Sequence, residues 1–131
     1  IVPTDLISPH ELPDQNFPFV LTTGRLLEHW HTGAMTRRSS TLDNIEPEAI
    51  VNMNRLDMKN LKLEPGNKVQ VKTRRGSIEL SVRQDTELPK GMIFIPFCFS
   101  EAAANKLTNP QLDPFGKIPE FKYCAANIEA C

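Results

Sequence analysis

The chain has 131 residues, 40% of them apolar and 24% charged, with a formal net charge of −1, which suits one globular domain and gives no global attraction for nucleic acid or anionic lipid. No apolar run approaches the ~18 residues of a membrane-spanning helix, so membrane insertion is not expected and any anion binding must come from a local patch. Three cysteines, Cys98, Cys124 and Cys131, cannot all pair with one another and show no CxxC spacing, which excludes a zinc ribbon and fits a reducing compartment such as the cytoplasm.

Residues 1–16 (IVPTDLISPHELPDQN) hold Pro3, Pro9 and Pro13 among Asp5, Glu11 and Asp14. They predict an irregular arm or linker ahead of a domain at 17–131, because proline fixes φ and removes ladder donors; His10 is expected to be solvated. A chain that opens on Ile1 is also expected to be a piece of something larger. Phe17 to Thr23 (FPFVLTT) reads as a strand closed by Gly24, and Ala49 to Met53 as a second. Arg55 to Leu63 predicts one or two helical turns ending at Pro65-Gly66. Val69 and Val71 alternate with Lys68, Gln70 and Lys72, and Ile78, Leu80 and Val82 alternate with polar residues. With a tight turn at Arg75-Gly76 between them, residues 67–74 and 77–84 predict a β-hairpin with one buried face.

Gly91 to Phe99 (GMIFIPFCF) is continuously apolar, as in a strand covered on both sides, with Pro96 limiting its pairing. Ser100 to Leu107 (SEAAANKL) has a serine cap, an early Glu and three alanines, and predicts a short helix. Phe121 to Ile128 predicts the last strand. Short strands with minor helices amount to a mainly β fold, a β-rich barrel.

The densest chemistry lies at GRLLEHWHTGAMTRRSS, residues 24–40, where His29 and His31 flank Trp30, the only tryptophan. A His-x-His pair can supply two zinc ligands, but no spacing rule places a third. No nucleophile elbow or Ser-His-Asp order appears, so no catalytic residue is assigned. Thr22-Thr23-Gly24-Arg25 sets hydroxyls, a permissive backbone and a guanidinium directly after a strand. Residues 29–40 then add His29, His31, Thr32, Gly33, Thr36, Arg37, Arg38, Ser39 and Ser40 without one acidic group. Such donors suit a phosphate; equally, Arg37 and Arg38 could be a solvated charge pair and Gly33 a turn.

The series TTGRLLEHWHTGAMTRRS, then IPFCFSEAAANKLTNPQLDP, then KIPEFKYCA resembles the C-terminal cofactor-binding domain of molybdopterin oxidoreductases. The likeness is closest to formate dehydrogenase catalytic subunits, with periplasmic and assimilatory nitrate reductases as relatives, and it runs from about Phe17 to the end. It implies a double-psi β-barrel with short helices that closes over bis(molybdopterin guanine dinucleotide) carrying molybdenum or tungsten. Ala34 departs from the Thr or Ser of relatives, which bears only on a hydroxyl contact there. By the same resemblance the cofactor-binding residues are Thr23, Gly24, Arg25, Leu26, Leu27, Glu28, His29, Trp30, His31 and Thr32, with Thr36, Arg37, Arg38, Asn105 and Lys122, while Phe97 borders the substrate approach. The metal's protein ligand would come from another domain, matching none of the three cysteines. The implied partners are the remaining domains of the subunit and iron–sulfur electron carriers, in the cytoplasm or the periplasm. Nitrate in place of formate, or a non-enzymatic double-psi barrel used for interaction, are the alternatives.

Overall fold

The computed structural model describes residues 1–131. Six strands, β1 (Phe19–Gly24), β2 (Ile50–Met53), β3 (Lys68–Lys72), β4 (Ser77–Gln84), β5 (Met92–Pro96) and β6 (Cys124–Ala130), close into a barrel in the order β1-β5-β2-β4-β3-β6. Two pairs are parallel, β1 with β5 and β2 with β4, and the other four are antiparallel. Period-two alternation sends Leu21, Val51, Met53, Val69, Val71, Ile93 and Ile95 into a core from which water is excluded. The predicted hairpin is present, with Val69 opposite Leu80, Val71 opposite Ile78 and Lys72 opposite Ser77. Its turn is closed by the Thr73 N–H on Gly76 O at 2.9 Å. A short helix, α2 (Arg55–Asn60), is capped by the Asn54 side chain, which accepts the Leu56 N–H at 2.8 Å.

Four sequence expectations are corrected in detail. β1 starts two residues late and includes Gly24, and α1 (Ser40–Ile45), preceded by a 3-10 turn at Thr36–Arg38, was not anticipated. No helix spans Ser100–Leu107: only Ala104–Lys106 makes a 3-10 turn. Ala102 and Ala104 are buried, so their small side chains let the segment lie flat on the barrel where a coil would lift one of them off. β5 stops at Pro96, which has no N–H to extend the ladder. The next N–H, of Phe97, makes a last rung to Gly24 O at 3.1 Å, and the chain then turns away. β6 begins at Cys124, which leaves Phe121 and Lys122 in the turn before it and outside any alternation.

Residues 1–16 carry no regular structure, yet they are fastened to the barrel. Glu11 pairs with Arg74 and, at 2.6 Å, with Arg75, while Asp14 also pairs with Arg74. His10 is exposed but not merely solvated, since its backbone N–H donates to the Glu120 carboxylate at 3.0 Å.

Strand direction decides where the long loops gather. β1 and β5 run the same way and end at one mouth of the barrel; β6, antiparallel to β1, begins there; and β2, antiparallel to β5, begins there too. Both long connections, 25–49 and 97–123, therefore leave from and return to the same mouth.

Candidate cofactor site at the barrel mouth

The loop after β1 is built around His29, which is 2% exposed. Its Nε2 lies 2.9 Å from Glu46 O, a group that can only accept, so this nitrogen carries the proton. Nδ1 is then left to accept from the Thr36 hydroxyl at 3.3 Å, and the same hydroxyl oxygen accepts the Trp30 N–H at 3.0 Å. One imidazole thus ties both ends of loop 25–49 together, and its ring stands edge-on to Phe99 at 5.8 Å. Polar atoms buried this deeply are costly unless paired, which explains a histidine here better than a free ligand does. No trio of His, Cys, Asp or Glu stands close enough to hold a metal ion.

Gly33 makes the tight return of this loop. Its φ is +75°, and a Cβ would fall 2.7 Å from Cys98 O and 2.9 Å from Arg37 Cγ, so only glycine fits. At Gly24 a Cβ would meet the Phe94 ring at 2.5 Å. Gly33 thus lets loop 25–49 lie close against loop 97–123, and Gly24 leaves room for the Phe94 ring of the neighbouring β5.

With His29 inside, its neighbours point out. Trp30 is 62% exposed and packs edge-on against His31 at 4.7 Å, and Leu27 is 96% exposed. Arg25, Leu26, Leu27, Glu28, Trp30, His31 and Thr36 line an open hollow of about 580 Å³, floored by His29 and Leu42. A hollow of similar size lies beside the arm, lined by Ile7, Leu112 and Ile118; the donor chemistry favours the former. Thr32 and Arg38 are exposed on the same loop, and neither Arg25 nor Arg38 is paired with a carboxylate. From the third strand end, Lys122 Nζ donates to Thr23 O at 2.5 Å, 5.9 Å from the Phe97 ring centre and 5.3 Å from that of Phe121. Buried Thr23 donates its hydroxyl to Phe121 O at 2.8 Å. Half-buried Phe97 thus sits at the mouth with Lys122. Asn105 is exposed on loop 97–123, outside the hollow.

Arg37 is placed differently from Arg38. Its Nη1 reaches both Glu101 oxygens at 2.8 and 2.7 Å, its Nε donates to Asp43 at 3.0 Å, and its guanidinium stacks 4.8 Å from the Phe99 ring centre. Burial is the largest single influence on Glu101 and opposes its charge, but the Arg37 hydrogen bond, a backbone hydrogen bond, the Arg37 charge and the Ser100 hydroxyl together outweigh it and hold the carboxyl below its ordinary range. Sequence reasoning missed Glu46, Phe99 and Glu101, because their partners are distant in the chain, and Asp43, whose six-residue spacing from Arg37 matches no helical or strand pairing. Glu101 in particular reads as a first-turn helix residue.

Burial pushes the Cys98 thiol up to about 11 and raises Cys124 as well. A raised thiol pKa leaves little thiolate at pH 8. Folded protein mixed with a thiol-specific disulfide reagent at pH 8 is expected to release one equivalent at once, from exposed Cys131, and two more only on unfolding. Three fast equivalents would contradict this packing.

A family model described as "Molydopterin dinucleotide binding domain" matches residues 19–125. The chain is 46% identical over 129 residues to the F420-dependent formate dehydrogenase subunit alpha of Methanocaldococcus jannaschii, covering 98% of this chain and 19% of that protein. It is 42% identical over 125 residues to the F420-dependent formate dehydrogenase 1 subunit alpha of Methanococcus maripaludis, covering 95% and 18%. Among solved structures, acetylene hydratase from Pelobacter acetylenicus superposes with a TM-score of 0.78 at 20% identity, over 88% of this chain and 18% of that one. The chain therefore spans about a fifth of the length of these relatives, and the solved structure shares its barrel.

Proposed function

This chain belongs to the molybdopterin dinucleotide binding domain family, and from that premise we propose that it is the cofactor-holding domain of a formate dehydrogenase catalytic subunit. The observation that carries the reading is the set of cations without a carboxylate partner at the barrel mouth. Arg25 lines the hollow with exposed Trp30 and His31, Thr32 and Arg38 are exposed on the same loop, and Lys122 stands on Thr23 O at the same mouth; none of the three cations has a carboxylate partner. A dinucleotide needs this combination: cations and N–H groups for its pyrophosphate, flat side chains for its ring faces, and hydroxyls for its edges. Thr23, Gly24 and the backbone through Thr32 would follow the ligand, with Leu26, Leu27 and Glu28 along the hollow and Asn105 approaching from the second loop. Thr36 and His29 hold that backbone in place, and Phe97 borders the substrate side.

When bound, bis(molybdopterin guanine dinucleotide) would supply a molybdenum or tungsten centre for two-electron oxidation of formate. The chain's own residues orient the group and screen it from water. Lys122 holds a proton-rich ammonium against Thr23 O with two further N–H bonds to offer. That the similar relatives are named formate dehydrogenases supports formate over nitrate. Their names also make F420 the candidate electron acceptor. The remaining domains of the subunit and iron–sulfur carriers are the partners this reading requires, and the three free cysteines support a cytoplasmic setting.

The test is made on the complete subunit purified with its cofactor, by metal analysis, guanine nucleotide release and formate-dependent dye reduction. Arg25→Gln with Arg38→Gln is expected to lower guanine nucleotide content, and the 131-residue chain alone is expected to oxidise no formate. Full retention in the double variant, or turnover by the chain alone, would overturn the reading. Nitrate reduction without formate oxidation would change the substrate.

A further inference from the structure

We propose that the adjacent arginines have divided roles: Arg37 is a positioning residue that latches loop 25–49 onto loop 97–123, and Arg38 is left free for the anionic ligand. Every nitrogen of the Arg37 guanidinium is already engaged, Nη1 by Glu101, Nε by Asp43 and Nη2 by Pro47 O at 3.5 Å. One positive charge faces two carboxylates, so the surroundings of Arg37 are net negative and repel a phosphate. Turning the side chain toward a ligand would leave both carboxylates unpaired and uncover the face of Phe99. Arg38 has no carboxylate partner and is exposed.

The latch acts on the hollow through the next residue. Thr36 precedes Arg37 in the same 3-10 turn, and its hydroxyl fixes the Trp30 N–H and His29 Nδ1. Glu101 thereby sets the position of Trp30 without touching it. A 64-residue separation joins the two loops through this one guanidinium, with Gly33 packed beneath it.

A double-mutant cycle separates a latch from a ligand. Trp30 is the only tryptophan of the chain, so its emission reports the hollow, and guanine nucleotide retention in the complete holoprotein reports the ligand. Arg37→Gln and Glu101→Gln are expected to shift Trp30 emission alike and each to lower retention about tenfold, with the double variant no worse than either single, as for residues that share one interaction. Arg38→Gln is expected to lower retention with Trp30 emission unmoved, and to multiply with Glu101→Gln. Glu101→Gln, on a half-exposed side chain, carries the test should Arg37→Gln fold poorly.

Loss of retention in Arg37→Gln alone, with Glu101→Gln retaining as much nucleotide as the unmodified protein or more, would overturn the latch and make Arg37 a ligand. The role of Arg38 rests on the cofactor reading above. If the unmodified holoprotein contains no guanine nucleotide, that reading fails, and the emission cycle alone decides the latch: a shared shift upholds it and independent shifts overturn it.

Discussion

Replacing Phe99 with alanine is expected to lower the unfolding free energy by about 3–5 kcal/mol, the usual cost of emptying a buried phenylalanine site. Phe99 is 1% exposed and among the largest fully buried side chains. It lies outside the strands, where the barrel cannot easily collapse to refill its space. Its ring meets His29 edge-on and Arg37 face-on, so both loops of the mouth lose a common support. A domain of this size has about 5–15 kcal/mol in total, and the loss would remove a large part of it. Urea unfolding followed by circular dichroism measures the difference. Phe115, which is 91% exposed, is the control, and Phe115→Ala should change stability by less than about 0.5 kcal/mol. Equal midpoints for the two variants would mean that the mouth does not depend on Phe99.

Lys122→Ala in the complete enzyme is expected to lower cofactor retention by an order of magnitude or more. A lysine in a turn at the surface could instead be a solvated charge, and then its loss would leave the cofactor alone. Three features argue for the ligand. Lys122 is held by Thr23 O, it lies near two aromatic rings, and it forms no ion pair that would neutralise it. Losing a charge-assisted hydrogen bond costs roughly 1.5–3 kcal/mol, and each 1.4 kcal/mol is about tenfold in binding. Metal and guanine nucleotide per enzyme would be measured after extended dialysis beside Lys59→Ala, on α2 at the opposite mouth. If Lys122→Ala and Lys59→Ala retain as much as the unmodified enzyme, Lys122 is not a cofactor contact.

Much of the barrel was legible because alternation is a local signal. Val69, Val71, Ile78 and Leu80 announce the hairpin from their spacing alone, and the structure pairs Val69 with Leu80 and Val71 with Ile78 on its buried face. SEAAANKL was misread for the opposite reason. Alanine is both the best helix former and the smallest side chain with a Cβ, and here Ala102 and Ala104 serve close packing. At the mouth the sequence showed a donor-rich loop but could not sort its members. The role of Arg37 depends on Glu101, 64 residues away, and that of His29 on Glu46 O, a backbone atom that leaves no trace in residue identity. His29 and Arg37 were therefore grouped with the exposed residues beside them, although His29 is buried and Arg37 is tied to Asp43 and Glu101.

The closure of the barrel also governs the order in which the molecule can form. β6 inserts between β1 and β3, and β1 finds its other neighbour in β5, paired from Val20 with Met92 to Gly24 with Pro96. Until Cys124–Ala130 is in place, β1 and β3 both present unpaired backbone, the state in which strands recruit other chains. Folding that waits on contacts this remote is slow, on the order of milliseconds to seconds. The β3–β4 hairpin, whose contacts are local, is the one piece free to form early. During that interval the nascent chain is most exposed to misassembly, and its last strand ends it by removing both open edges in one step.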